Sequence, residues 1–174
     1  MRKISIISLS LLLIAGIAVA EEAKKPLSPP AKASAVLNGK KINIDYSAPS
    51  KRDRAIMGSL VPYGEVWRTG ANAATTLTTE GDLMIGTVHV PAGTYTLYTI
   101  PGEKEWTLII NKQTGQWGTK YDETQDLGRT TMTVKSLKAP VETFNIAVVP
   151  VNPTQATLKL TWENTEATAR VLAH

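Results

Sequence analysis

All 22 threonines of this 174-residue chain lie between Thr69 and Thr168, and no window of ten or more residues beyond the N-terminus carries helical periodicity. Threonine is β-branched and suits a half-buried pleated surface, so a chain written this way is committed to sheet. The alternation is plainest where Leu158, Leu160 and Trp162 interleave with Lys159, Thr161 and Glu163. One face of that strand is buried and the other wet. Phe144, Ile146 and Val148 alternate in the same way, as do Trp106, Leu108 and Ile110.

Turn chemistry divides the rest. Residues 33–37 and 40–46 flank Asn38-Gly39, the favoured two-residue turn of a tight hairpin. Further strands are expected at 74–79, 83–90, 94–100, 106–111, 130–137, 142–149, 156–163 and 167–172. Nine or ten short strands with turns every 8 to 12 residues predict an antiparallel, jelly-roll-like β-sandwich in one domain, residues 33–174, with a β-barrel as the alternative.

The N-terminus has a different character. Arg2 and Lys3 precede an apolar run from Ile4 to Ile17, and Ala18-Val19-Ala20 forms an A-x-A site before Glu21-Glu22. Residues 1–20 therefore read as a signal peptide cleaved after Ala20, with export to the periplasm or beyond and no stable membrane insertion afterwards. Residues 21–32, rich in proline and lysine, read as an exposed linker.

Removing Arg2 and Lys3 from the 19 basic side chains, against 15 acidic ones, lowers the net charge from +4 to +2. The remaining basic residues are scattered, apart from Lys51, Arg52 and Arg54, so nucleic acid is not an expected partner. The absence of cysteine excludes a disulfide scaffold, a thiolate metal site and a cysteine nucleophile. With two histidines, His89 and the terminal His174, a multi-histidine metal centre is not expected, and no cofactor fingerprint appears.

Two segments break the strand pattern. Residues 47–72 form a connection unusually long for a compact domain, shaped by Pro49, Gly58, Pro62, Gly64 and Gly70. It carries Tyr63, Trp67, Arg68 and Asn72: aromatic surfaces, a planar cation able to clamp a carboxylate or phosphate, and an amide that both donates and accepts. The competing reading makes Trp67 a plug over the sandwich edge and pairs Arg68 with Glu65 or another acid. Residues 112–129 repeat the theme with Trp117-Gly118 and Tyr121. Asp122, Glu123 and Asp126 have the oxygens calcium favours, but their spacing departs from an EF-hand loop and reads as a solvated acidic loop.

Tyr46-Ser47, Pro49-Ser50, Arg54, Ile56, Gly58 and the run LVPYGEVWRTGANAAT (residues 60–75) resemble an uncharacterised family of secreted bacterial proteins, the domain of unknown function DUF 2911. The likeness continues through PAGTYTLYTIPGEKEWTLIIN (residues 91–111), Trp117-Gly118, Tyr121-Asp122, Asp126 and Arg129. The resemblance implies a signal peptide followed by one all-β domain, and makes the 60–72 segment part of the family's signature. It brings no activity. It also implies a glutamate in many members where this chain has Ala73, which weakens any carboxylate catalysis centred there.

Catalytic constellations are missing. Gly58-Ser59-Leu60-Val61-Pro62 lacks the second glycine of a nucleophile elbow, and neither H-E-x-x-H nor a Walker loop occurs. The favoured expectation is a non-catalytic binding module for a small polar or carbohydrate-like ligand or a cell-envelope partner. Its contacts would be Tyr63, Trp67, Arg68, Asn72, Trp117 and Tyr121, with no catalytic residue and no metal. The alternatives are a hydrolase of glycans or esters using His89 or a carboxylate pair, and a structural or assembly protein.

Overall fold

The computed structural model describes residues 26–174. The expected signal peptide and residues 21–25 of the expected linker lie outside the described residues. The linker's remainder contributes to the fold, because β1 (Pro30–Leu37) begins inside it. The other strands are β2 (Lys40–Ser47), β3 (Thr75–Thr79), β4 (Leu83–Ile85), β5 (Val88–Val90), β6 (Gly93–Ile100), β7 (Glu105–Asn111), β8 (Asp126–Asn152) and β9 (Gln155–Ala173). They form one antiparallel sheet, in the order β1-β2-β3-β6-β7-β8-β9-β4-β5, which is not closed into a barrel. Among the described residues no helix is long and apolar enough to cross a membrane.

The sheet doubles over because β8 and β9 are long and bent. Their pairing slips between Ser136 and Val141 and again before Asn145, around Lys138-Ala139-Pro140. Proline offers no N–H to a ladder, and an irregularity there bends both strands. The expected strands 130–137 and 142–149 are thus two arms of β8, and 156–163 and 167–172 two arms of β9. Conversely, the expected strand 83–90 divides into β4 and β5, because the chain turns at Gly86 (φ +57) and the Thr87 N–H bonds the Thr130 hydroxyl at 3.1 Å. The hairpin of β1 and β2 turns at Asn38-Gly39 as expected, with φ of +50 and +73.

Folding over brings Ile42, Ile44, Leu77 and Leu97 from one arm against Val148, Leu158 and Val171 from the other, with about 10 Å³ of void between them. That space is at the limit of one water, so the layers are closely packed. The far end of the core is aromatic. Trp162 lies 5.8 Å from Trp67, nearly parallel to it, and Phe144 packs 4.9 Å from the same indole.

On the outer face, Glu166 is buried between Lys135 (2.8 Å) and Lys159 (3.1 Å). Burial alone raises its carboxyl, but hydrogen bonds from both lysines outweigh it and hold the group below the usual carboxylate range. A depressed carboxylate contributes stability that is present above its unfolded pKa and lost as pH falls through the folded one. The stability difference between the native chain and Glu166→Gln, from urea unfolding, should be constant from neutrality to about pH 5 and shrink below about pH 4. A difference unchanged down to pH 3 would remove this ion pair from the account.

Candidate functional site

In β6 both faces are buried: Tyr95 and Leu97 enter the core, while Thr96 and Tyr98 lie on the opposite face. That outer face is covered by the two irregular segments. The Thr96 hydroxyl donates to the Gln113 carbonyl (2.7 Å), and the Tyr98 hydroxyl donates to the Lys120 carbonyl (3.0 Å). Gln116 donates from Nε2 to both hydroxyl oxygens, at 3.2 and 3.1 Å. A strand face that elsewhere would meet water therefore becomes the floor of a site.

Beyond Thr75, where β3 begins, Trp67 takes the strand's place beside β6. The Trp67 N–H donates to the Thr99 carbonyl (2.7 Å) and the Thr99 N–H returns to Trp67 (2.9 Å). This strand-like pairing explains why neighbours have opposite environments. Period two sends Trp67 inward to Trp106, Phe144 and Trp162, and leaves Arg68 for the outer face with Tyr98. Trp67 is thus chiefly the plug, and only part of its indole remains accessible.

A concave cavity of about 370 Å³ opens at this place, with Glu65, Arg68, Tyr98, Gly118, Thr119 and Tyr121 among its walls. Arg68 is half-buried, and among the described residues its guanidinium makes no hydrogen bond or ion pair, with Glu65 or any other group. Its aliphatic stem runs against Gly118: a Cβ built there would stand 2.6 Å from Arg68 Cδ and 2.7 Å from the Asn72 carbonyl oxygen. The Gly118 N–H donates to that same carbonyl at 3.0 Å, and Ala73 bridges to Trp117. The two segments are stitched together at the arginine.

Tyr121 forms the opposite wall, its ring 4.9 Å from Tyr98. Its hydroxyl donates to Asp126 Oδ2 (2.7 Å) and accepts from Arg129 Nη2 (2.8 Å). Burial, followed by the hydrogen bond to Asp126, pushes this phenol up to about 12 against the opposing pull of Arg129, so it is a neutral, locked wall at physiological pH. Burial likewise raises Tyr98, opposed by Gln116.

Of the expected contacts, the cavity brings together Trp67, Arg68 and Tyr121. Tyr63, Asn72 and Trp117 do not line it. Tyr63 lies over Gly58, where an added Cβ would approach its ring to 2.8 Å. Asn72 is exposed at φ +60 and serves through its backbone carbonyl. Trp117 is 52% exposed on the outside of the stitch. A side chain in a loop has no periodicity to give its direction, so the sequence does not say which of them face this cavity. The strand pattern gives no reason to single out Tyr98, no motif marks Thr119, and Glu65 enters the sequence reading only as an ion-pair partner for Arg68.

Several titratable side chains outside this cavity make pairs of their own. His89 pairs with Asp82 at 3.3 Å on β5, and Asp45 with Lys32 at 3.3 Å. Asp122 caps the Thr124 N–H, while Asp126 and Glu123 hold Arg129, so the acidic loop is used in local structure. Ala73 is exposed and does not line this cavity.

No curated protein and no solved structure matches the chain. One family model does, described as a protein of unknown function (DUF2911), and it extends over residues 28–171. That span covers the whole sheet to within a few residues and both segments that build the cavity, so the chain belongs to the DUF2911 family.

Proposed function

We propose that this protein is a secreted or periplasmic, non-catalytic binding module for a small carbohydrate-like ligand bearing a carboxylate. The observation that carries the reading is Arg68: a half-buried guanidinium without a partner among the described residues, in a cavity of about 370 Å³ with aromatic walls. Sites for small ligands start at about this size and combine apolar walls with a few placed polar groups. A guanidinium fork matches a carboxylate bidentately, and the Glu65 and Thr119 side chains suit sugar hydroxyls. Export is supported by the basic, apolar and A-x-A succession of residues 1–20.

Binding is favoured over glycoside hydrolysis by the lining. Among the described residues Glu65 is the one carboxylate on the cavity wall, whereas the two-carboxylate mechanism needs a pair about 5 to 9 Å apart. Titration calorimetry with glucuronate, and glucose as the neutral control, tests the reading. Arg68→Gln should weaken glucuronate binding roughly ten- to a hundredfold, as expected for a lost charge-assisted hydrogen bond. Equal affinity for glucose and glucuronate, or full affinity in the variant, would count against it.

A further inference from the structure

A second cavity, of about 210 Å³, shares Leu60, Trp67 and Arg68 with the first and adds Arg52, Arg54 and Trp162 to its lining. The geometry points to a site for a tetrahedral oxyanion there, a phosphate or sulfate group carried by a small molecule or a lipid headgroup.

The chain builds this cationic pocket from the connection that leaves β2. The Phe144 N–H donates to the Pro49 carbonyl (2.8 Å), and the Lys51 N–H to the Glu142 carbonyl (2.7 Å), fixing the segment to the second arm of β8. Arg52 and Asp53 then adopt left-handed φ of +50 and +59, and the Arg54 N–H closes the turn on the Lys51 carbonyl at 3.2 Å. Arg54 is locked by its own donors, Nε to the Lys51 carbonyl (2.9 Å) and Nη2 to the Ser50 carbonyl (2.7 Å). Those neutral acceptors fix its position and leave its charge whole.

Among the described residues, none of the three guanidiniums meets a carboxylate at ion-pair distance. The nearby acids are engaged with backbone. The Glu142 carboxylate accepts from the Arg52 N–H (2.9 Å), and Glu163 accepts from the Ile56 and Met57 N–H groups at 3.2 to 3.3 Å. Neither lines the cavity, and Asp53 is exposed outside it. Three like charges around one small space repel each other, and an anion between them offsets that repulsion. A carboxylate is planar and presents two oxygens. Phosphate and sulfate present oxygens in three dimensions and so can receive the Arg52 and Arg68 forks together with the N–H groups that Arg54 has left over.

Arg52 gives a clean test, because it lines only the second cavity and its side chain makes no hydrogen bond among the described residues. Inorganic phosphate and sulfate are titrated calorimetrically into the purified protein at constant ionic strength, with sodium chloride as the control. Saturable binding is expected, weakened at least tenfold in Arg52→Gln and unchanged in Tyr121→Phe, which alters only the first cavity. Sedimentation with phosphatidylglycerol vesicles, beside phosphatidylcholine vesicles, separates the sources. Retention on phosphatidylglycerol that phosphate competes away assigns a lipid headgroup, and phosphate binding without retention assigns a small ligand. No saturable response beyond chloride to phosphate, sulfate or the vesicles would overturn the inference, as would full binding by an Arg52→Gln variant of unchanged Tm. Arg68 borders both cavities, so the two sites are told apart by Arg52, which lines only the second, and Tyr121, which lines only the first: phosphate binding lost in Arg52→Gln with glucuronate binding retained separates them.

Discussion

Trp162→Ala is expected to lower folding stability by about 4 kcal/mol and Tm by roughly 10 °C. The indole is 2% exposed and sits where three pieces of the molecule meet: Phe144 of β8, Trp67 of the long connection, and its own strand β9. Its N–H donates to the Glu142 carbonyl at 3.2 Å, just after the bend in β8. Truncation removes the largest fully buried side chain, leaves that carbonyl without its indole donor, and opens a gap that surrounding β-structure is poorly able to close. Trp162→Phe, which keeps a ring and loses the donor, should cost less than half as much. Urea unfolding of the three proteins makes the comparison. A loss below about 1 kcal/mol for the alanine variant would mean that Trp67 collapses into the space, and the rigid aromatic end described above would then be wrong.

Gly118→Ala should weaken glucuronate binding about a hundredfold while costing only about 2 kcal/mol of stability. Arg68 Cδ at 2.6 Å can swing aside, but the Asn72 carbonyl oxygen at 2.7 Å belongs to backbone and cannot. Adding one methyl group therefore separates the two segments, breaks the 3.0 Å bond from the Gly118 N–H to Asn72, and displaces the arginine from the cavity. Calorimetric titration beside thermal unfolding reads both quantities. Binding equal to that of the unsubstituted protein would show that the stitch does not position Arg68. A loss of binding matched by wholesale unfolding would reduce Gly118 to a folding residue.

Much of the fold was legible in the residues. The hairpin at Asn38-Gly39, the buried faces of Leu158, Leu160 and Trp162 and of Phe144, Ile146 and Val148, and the all-β class itself follow from short-range rules of alternation and turn chemistry. Nine strands form, as expected, but the bounds of some differ from the sequence reading in both directions. A slip in pairing at Pro140 bends a strand without ending it, and a turn at Gly86 ends one without any proline or charged cluster to announce it. Hydrogen bonds to distant strands decide such cases, and those partners are not neighbours in the chain.

The site divides along the same line. Composition and order within residues 47–72 and 112–129 were enough to mark both segments as exceptional and to single out Arg68 and Tyr121. Direction was another matter. Trp67 and Arg68 are adjacent, yet one fills the core and the other faces a cavity, because two backbone hydrogen bonds to Thr99 impose strand alternation on a stretch that reads as loop. Short-range chemistry specifies which side chains are available and which backbone turns are permitted. Which of them converge depends on long-range pairing, since a fold brings Arg52 and Arg68 to one space through contacts with β6 and β8 that no local rule contains.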